Sequence, residues 1–178
     1  MSRIGRREIP LPKGVQVEID GQVIRVRGAL GELTRILHPR IRAEHDGSVI
    51  KTLRSSDERQ DRALHGLTRT LVANMVRGVT EGFEKNLEVQ GIGYKVEKKG
   101  DRILLSMGFS HPVEFLIPSD VRIDVDKNLV KVTGIDKERV GQISASIRGI
   151  KPPDTYKGKG IRYQGEKIKL KPGKSGAK

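Results

Sequence analysis

The residues best able to do chemistry in this 178-residue chain are cations set among glycines and tyrosines near its C-terminus. Lys157, Lys159, Arg162, Lys167, Lys169 and Lys171 are interleaved with Tyr156, Tyr163, Gly158, Gly160 and Gly165, and Lys151 opens the stretch ahead of Pro152-Pro153. Cations neutralise phosphates. Glycines let a backbone approach a sugar-phosphate chain closely, and a tyrosine ring stacks on an unpaired base or packs on a ribose. A tail that served only solubility would need neither the tyrosines nor the stiff Pro-Pro step, so the composition favours a nucleic-acid partner.

Charge placement agrees. The net charge is +13, and residues 151–178 hold 9 Lys and Arg against 2 Asp and Glu. A polyanion would meet its strongest field there. Residues 83–150 are close to neutral, with 11 basic against 10 acidic side chains.

Other motifs dissolve on inspection. Gly173-Lys174-Ser175 imitates the end of a phosphate-binding loop, but Ile168 stands where the first glycine is required. Gly91-Ile92-Gly93 could open a dinucleotide fingerprint, but Val96 occupies the third glycine position and the surroundings alternate as antiparallel strands. His38, His45, His65 and His111 lack metal-ligand spacing and read as surface or packing residues. The carboxylate pairs Asp57-Glu58 and Asp124 with Asp126 invite a hydrolase, yet no nucleophile with a base stands in reach. No catalytic residue, metal or cofactor is expected. The absence of cysteine removes disulfides and thiolate zinc sites, and fits a reducing compartment. No apolar run approaches a membrane span, so a soluble cytoplasmic protein is expected.

The elements that position the tail come from two small domains. Residues 12–28 and 118–134 align without a gap at an offset of 106, and Val15, Val17, Ile19, Ile24 and Val26 meet Val121, Ile123, Val125, Val130 and Val132. Period-two alternation around Asp20-Gly21 predicts a hairpin. A second match, Glu58-Arg59 with Glu138-Arg139, has an offset of 80, which makes residues 29–54 an apparent insertion of further strands in the first copy. Leu64, Leu67, Leu71 and Met75, widened by Val72, Val76 and Val79, predict a helix over 57–81 with Ser55 and Glu58 as a capping box. Strands are expected over 85–89, 94–99, 102–107 and 113–117, then a shorter helix over 136–148 carrying Val140, Ile143 and Ile147. Beyond residue 150 an arm ordered only against its partner is expected.

Five separated motifs resemble one family in their order. KPPDTYKGKGIRY at 151–163 closely resembles the C-terminal signature of the ribosomal protein L-six family in its bacterial form. SRIGRREIPLPKGV at the start, ALGELT at 29–34, GIGY at 91–94 and GFSHPV at 108–113 are similar to it as well. The resemblance implies two domains of like fold, no catalysis, and binding to large-subunit ribosomal RNA near the base of the factor-binding stalk, with the C-terminal domain and arm gripping the RNA.

The expected fold is α+β: two duplicated domains, each an antiparallel or mixed sheet packed against one helix, plus a basic C-terminal arm. The first domain is expected over 1–82, the second over 83–170 with its RNA-binding arm from 151, and a flexible basic tail over 171–178. Expected partners are large-subunit ribosomal RNA and neighbouring ribosomal proteins, with no membrane and no small-molecule substrate. The alternative is a free architectural nucleic-acid-binding protein. Ribosomal RNA contacts are expected from Lys151, Tyr156, Lys157, Gly158, Lys159, Gly160, Arg162, Tyr163, Lys167, Lys169 and Lys171.

Overall fold

Each alternating stretch folds as an antiparallel strand, because one side-chain face must leave water while the backbone pairs with a neighbour. The computed structural model describes residues 4–173. The chain divides into one unit running to residue 83 and including 135–137, and a second holding 84–134 and the residues from 138 onward.

In the first unit come β1 (Ile9–Pro10), β2 (Gln16–Asp20), β3 (Val23–Gly28), β4 (Gly31–Ile36), β5 (Ile41–His45), β6 (Val49–Arg54) and α1 (Arg59–Thr80). They form two three-stranded sheets, ordered β1-β6-β5 and β2-β3-β4. Next come β7 (Phe83–Gln90), β8 (Lys95–Lys99), β9 (Arg102–Ser106), β10 (Val113–Leu116), β11 (Val121–Asp126), β12 (Leu129–Gly134), α2 (Lys137–Ile150) and β13 (Gly160–Tyr163). Their sheets are ordered β10-β9-β8 and β11-β12-β7-β13. The class is α+β, with two sheets to each helix.

Strand registers define the duplication, and they overturn the offset of 106. Val17 faces Val26 in β2–β3 as Val96 faces Leu105 in β8–β9, and every pair of these hairpins repeats 79 residues later. Ala43 faces Thr52 in β5–β6 as Ile123 faces Val132 in β11–β12, and every pair of β5–β6 repeats 80 residues later. The turns agree too: Gly21 and Gly100 have φ of 57° and 59°. The structural counterpart of β11–β12 is therefore β5–β6. The gapless sequence match joined hairpins of different sheets. Residues 29–54 are not an insertion, since β4, β5 and β6 answer to β10, β11 and β12. Period-two hairpins with an acidic turn resemble one another whichever sheet they enter, so alternation alone cannot pair them.

Burial modifies two further expectations. Ile24 and Val26 are buried, but Val15, Val17 and Ile19 are half-buried along an edge strand that packs against the core. On α1 the buried face is Asp61, His65, Thr68, Val72, Met75, Val76 and Val79, while Leu67 is 54% exposed. Only the C-terminal half of that face is apolar. The expected capping box is absent: Ser55 Oγ donates to the Arg40 carbonyl. Ser56 does the work at that end, accepting from the Glu58 N–H at 3.2 Å and donating to Asp61 at 2.8 Å.

The arm beyond residue 150 is not a strap awaiting a partner. β13 pairs antiparallel with β7, setting Ile161 against Val89 and Tyr163 against Leu87. Ile161 is fully buried, and its N–H donates to the Lys151 carbonyl at 2.8 Å. At Gly160, φ is 147° and an added Cβ would lie 2.6 Å from the Pro152 carbonyl oxygen, so only glycine fits. Part of the tail expected over 171–178, residues 174–178, lies outside the described residues.

Candidate nucleic-acid interface

The segment that carries the candidate cations is built on β13 and two turns. Between α2 and β13, Asp154 organises a closed loop: its carboxylate accepts from the Tyr156 and Lys157 N–H groups at 3.2 and 2.8 Å. Its own N–H donates to the Lys159 carbonyl, and its carbonyl accepts from the Gly158 N–H, both at 2.9 Å. Those N–H groups hold the Asp154 carboxyl below the usual carboxylate range, the Lys157 N–H most strongly. After β13, Glu166 accepts from the Tyr163 N–H at 3.0 Å and pairs with Arg148 of α2 at 2.6 Å. Chiefly through Arg148, its carboxyl is also depressed. Lys171 then returns to the loop, its N–H donating to the Thr155 carbonyl at 2.8 Å.

The eleven candidate residues separate into groups by what they touch. Lys157, Lys167, Lys169 and Lys171 are exposed and form no ion pair among the described residues. Tyr156 beside them is 58% exposed, and Lys159 is half-buried. Lys151 lies over the Phe109 ring, 4.7 Å from its centroid. Gly158 has a φ of 67° and packs near Leu170, and Gly160 seats the strand as described. Arg162 is engaged, both Nε and a terminal nitrogen donating to Glu88 at 3.1 and 3.0 Å. Tyr163 is half-buried between Lys85 and Arg148, each 5.6 Å from its centroid. The exposed lysines can meet phosphates directly, whereas Arg162 and Tyr163 are tied into the sheet.

Sequence reasoning passed over Lys127, at the tip of β11–β12. It is the one non-glycine with positive φ among the described residues, at 53°. Its place within Asp-Lys-Asn, in an alternating stretch, was the available signal.

Comparisons with known proteins fit this arrangement. The sequence pattern of Ribosomal protein L6 matches residues 11–82 and again 90–164, two matches whose starts lie 79 apart, as the strand registers do. The chain belongs to the ribosomal protein L6 family. This L6-family chain is 51% identical over 177 residues to the large ribosomal subunit protein uL6 of Caldicellulosiruptor saccharolyticus, covering 99% of the chain and 97% of that relative. It is 50% identical over 179 residues to uL6 of Carboxydothermus hydrogenoformans, covering 100% and 98%. With uL6 of Thermosynechococcus vestitus, identity is 48% over 187 residues and both chains are covered in full. Among the described residues of the L6-family chain, no group of His, Asp or Glu could hold a metal ion, and no helix is long and apolar enough to cross a membrane.

Proposed function

We propose that this protein is a structural, non-catalytic component of the large ribosomal subunit, acting in the cytoplasm within the ribosome. It binds large-subunit ribosomal RNA near the base of the factor-binding stalk, with neighbouring ribosomal proteins as its other partners. The family and its full-length relatives support the subunit assignment. One observation carries the RNA contact: Lys157, Lys167, Lys169 and Lys171 stand unpaired on one ordered segment beside an exposed tyrosine. Lys151 and Lys159 lie close by, and Gly158 and Gly160 shape the loop that presents them. Arg162 and Tyr163 position this segment through Glu88, Lys85 and Arg148.

Salt dependence tests the reading. Each phosphate neutralised releases about 0.7–0.9 of a counterion, so binding to a large-subunit RNA fragment should show a slope of roughly −4 to −6 in log K against log salt. Replacing Lys157, Lys167, Lys169 and Lys171 together by Ala should cut that slope by about 3 without changing the melt, because these side chains are exposed. An unchanged slope would overturn the assignment. Deleting the segment is not an equivalent test, since it removes β13.

A further inference from the structure

The second unit holds a cleft of about 650 Å³ lined by Glu88, Ile92, Asp126, Leu129, Lys157 and Lys159, among others. Its walls are the Gly91–Gly93 turn, the tip of β11–β12 and the Asp154 loop. Ile92 is 92% exposed between two glycines of positive φ, an apolar side chain held out at the cleft's edge. Glu88 is neutralised by Arg162, but Asp126 accepts no hydrogen bond and forms no ion pair among the described residues.

The first unit supplies an internal control, because Asp126-Lys127-Asn128 answers to Asp46-Gly47-Ser48. There the Asp46 carboxylate is consumed by its own turn, accepting from Ser48 Oγ at 3.1 Å and from the Ser48 and Val49 N–H groups. Gly47 takes the positive φ, 82°, without strain. In the second unit the carboxylate is left free, and a lysine takes the left-handed position that disfavours it. Both departures surrender turn stability; they leave a free acceptor in the cleft's lining and a cation next to it in the chain, between Asp126 and Asn128. Backbone strain of this kind is kept where a side chain is needed.

We propose that this cleft receives a single unpaired guanine of the bound RNA. The Asp126 carboxylate, which only accepts, takes both hydrogen bonds from the adjacent N1–H and N2–H donors of the base edge. Uracil, cytosine and adenine each offer one such donor group there. Ile92 covers the base's apolar face, and Lys127, Lys157 and Lys159 meet the flanking phosphates. The inference rests on the RNA-binding reading and adds to it a base preference.

The test uses the full chain and synthetic RNA duplexes that are fully paired or carry one bulged G, A, C or U. The bulged-G duplex should bind roughly tenfold more tightly than the paired one, and more tightly than the other bulges. Asp126→Asn should remove that preference while leaving paired-duplex affinity and the melt unchanged, and Asp46→Asn should leave the preference intact. Lys127→Gly should lower affinity for both duplexes and reduce the salt slope by about 1. Equal affinity for bulged-G and paired duplexes, or a preference that survives Asp126→Asn, would overturn the cleft while leaving the lysine segment standing. Absence of affinity for any duplex would overturn both.

Discussion

The two units join strand to helix at the same topological place with opposite chemistry. In the first, α1 enters on a polar network: Asp61, buried, accepts from Ser56 at 2.8 Å and pairs with Arg40 at 3.1 Å. His65 Nε2 contacts the Thr52 carbonyl at 2.8 Å while Nδ1 faces Arg54 at 3.1 Å. A guanidinium only donates, so the ring proton sits on Nε2. In the second unit the same helix face is Val140, Ile143, Ser144 and Ile147, and Val132 replaces Thr52. Where Arg54 reaches into the first junction, Gly134 stands in the second, and an added Cβ there would lie 2.9 Å from Val140. Each unit also ties the loop before its strand to the helix with the signs exchanged, though at a different helix position: Arg40 with buried Asp61 in the first, Asp120 with exposed Arg139 in the second. A strand-to-helix tie thus survives an exchange of charge sign, because it needs complementarity and not a particular residue at either end.

The largest expected effect lies in the fourth strand, which among the described residues has no counterpart in the first unit. Ile161→Ala should destabilise that unit by about 2–5 kcal/mol while the first melts unchanged, and truncation after residue 150 should abolish its cooperative transition. Differential scanning calorimetry reads both. Retention of that transition by the truncated protein would make β13 dispensable and erase the contrast.

His65→Ala should be next, at about 2–4 kcal/mol confined to the first unit, since it removes the buried ring's contacts to the Thr52 carbonyl and to Arg54, which keeps only Asp57 among the described residues. Ser144→Ala, at the matching place on α2, removes only the hydroxyl bonded to the Val140 carbonyl at 2.7 Å and should cost about 1 kcal/mol. Equal costs would show that the polar junction is not carrying the first unit.

Acid should reach the two junctions through different carboxylates. Hydrogen bonding from Ser56 and then pairing with Arg40 hold Asp61 below the usual carboxylate value of 3.8, against the opposing effect of burial. Arg139 does the same for Asp120. A depressed carboxyl contributes stability that is present above its unfolded value and lost as pH falls through its folded one, so both losses belong below about pH 4. Asp61→Asn should flatten the acid limb of the first unit alone, and Asp120→Asn that of the second. Cross-effects in urea melts between pH 5 and pH 2 would merge what the units separate.

The smallest effect concerns the paired turns. Lys127→Gly should stabilise the second unit by about 0.5–1 kcal/mol, and Gly47→Lys should destabilise the first by about 1 kcal/mol. If Lys127→Gly is destabilising, the lysine is held there by packing and not for a ligand.

Much of the architecture was legible in the residues. The hairpin at Asp20-Gly21, the strands near 85–89 and 102–107, and both helices follow from period and turn chemistry, within a residue or two at most ends. The pairing of the repeats was not, although Arg42 with Arg122, Asp46 with Asp126 and Lys51 with Lys131 lay at the same offset of 80 as Glu58 with Glu138. Five apolar matches at the wrong offset outweighed them, because alternation reports burial on one face and is silent about which sheet buries it. The face of α1 was misjudged for a related reason. Asp61 and His65 count as polar until Arg40, Thr52 and Ser56, distant in the chain or lodged in a turn, arrive to satisfy them.

The sequence by itself determined the α+β class, the excess of cations beyond residue 150 and the family, since local period, composition and ordered motifs are properties of the chain alone. Tertiary structure decided which hairpins correspond, that residues 160–163 complete a sheet, and which cations stay free. Arg162 and Lys157 are alike as residues five apart in a basic stretch. Only the fold brings Glu88 to the first and leaves the second facing solvent, because a charge's availability depends on which opposite charge the folded chain sets within a few ångströms of it.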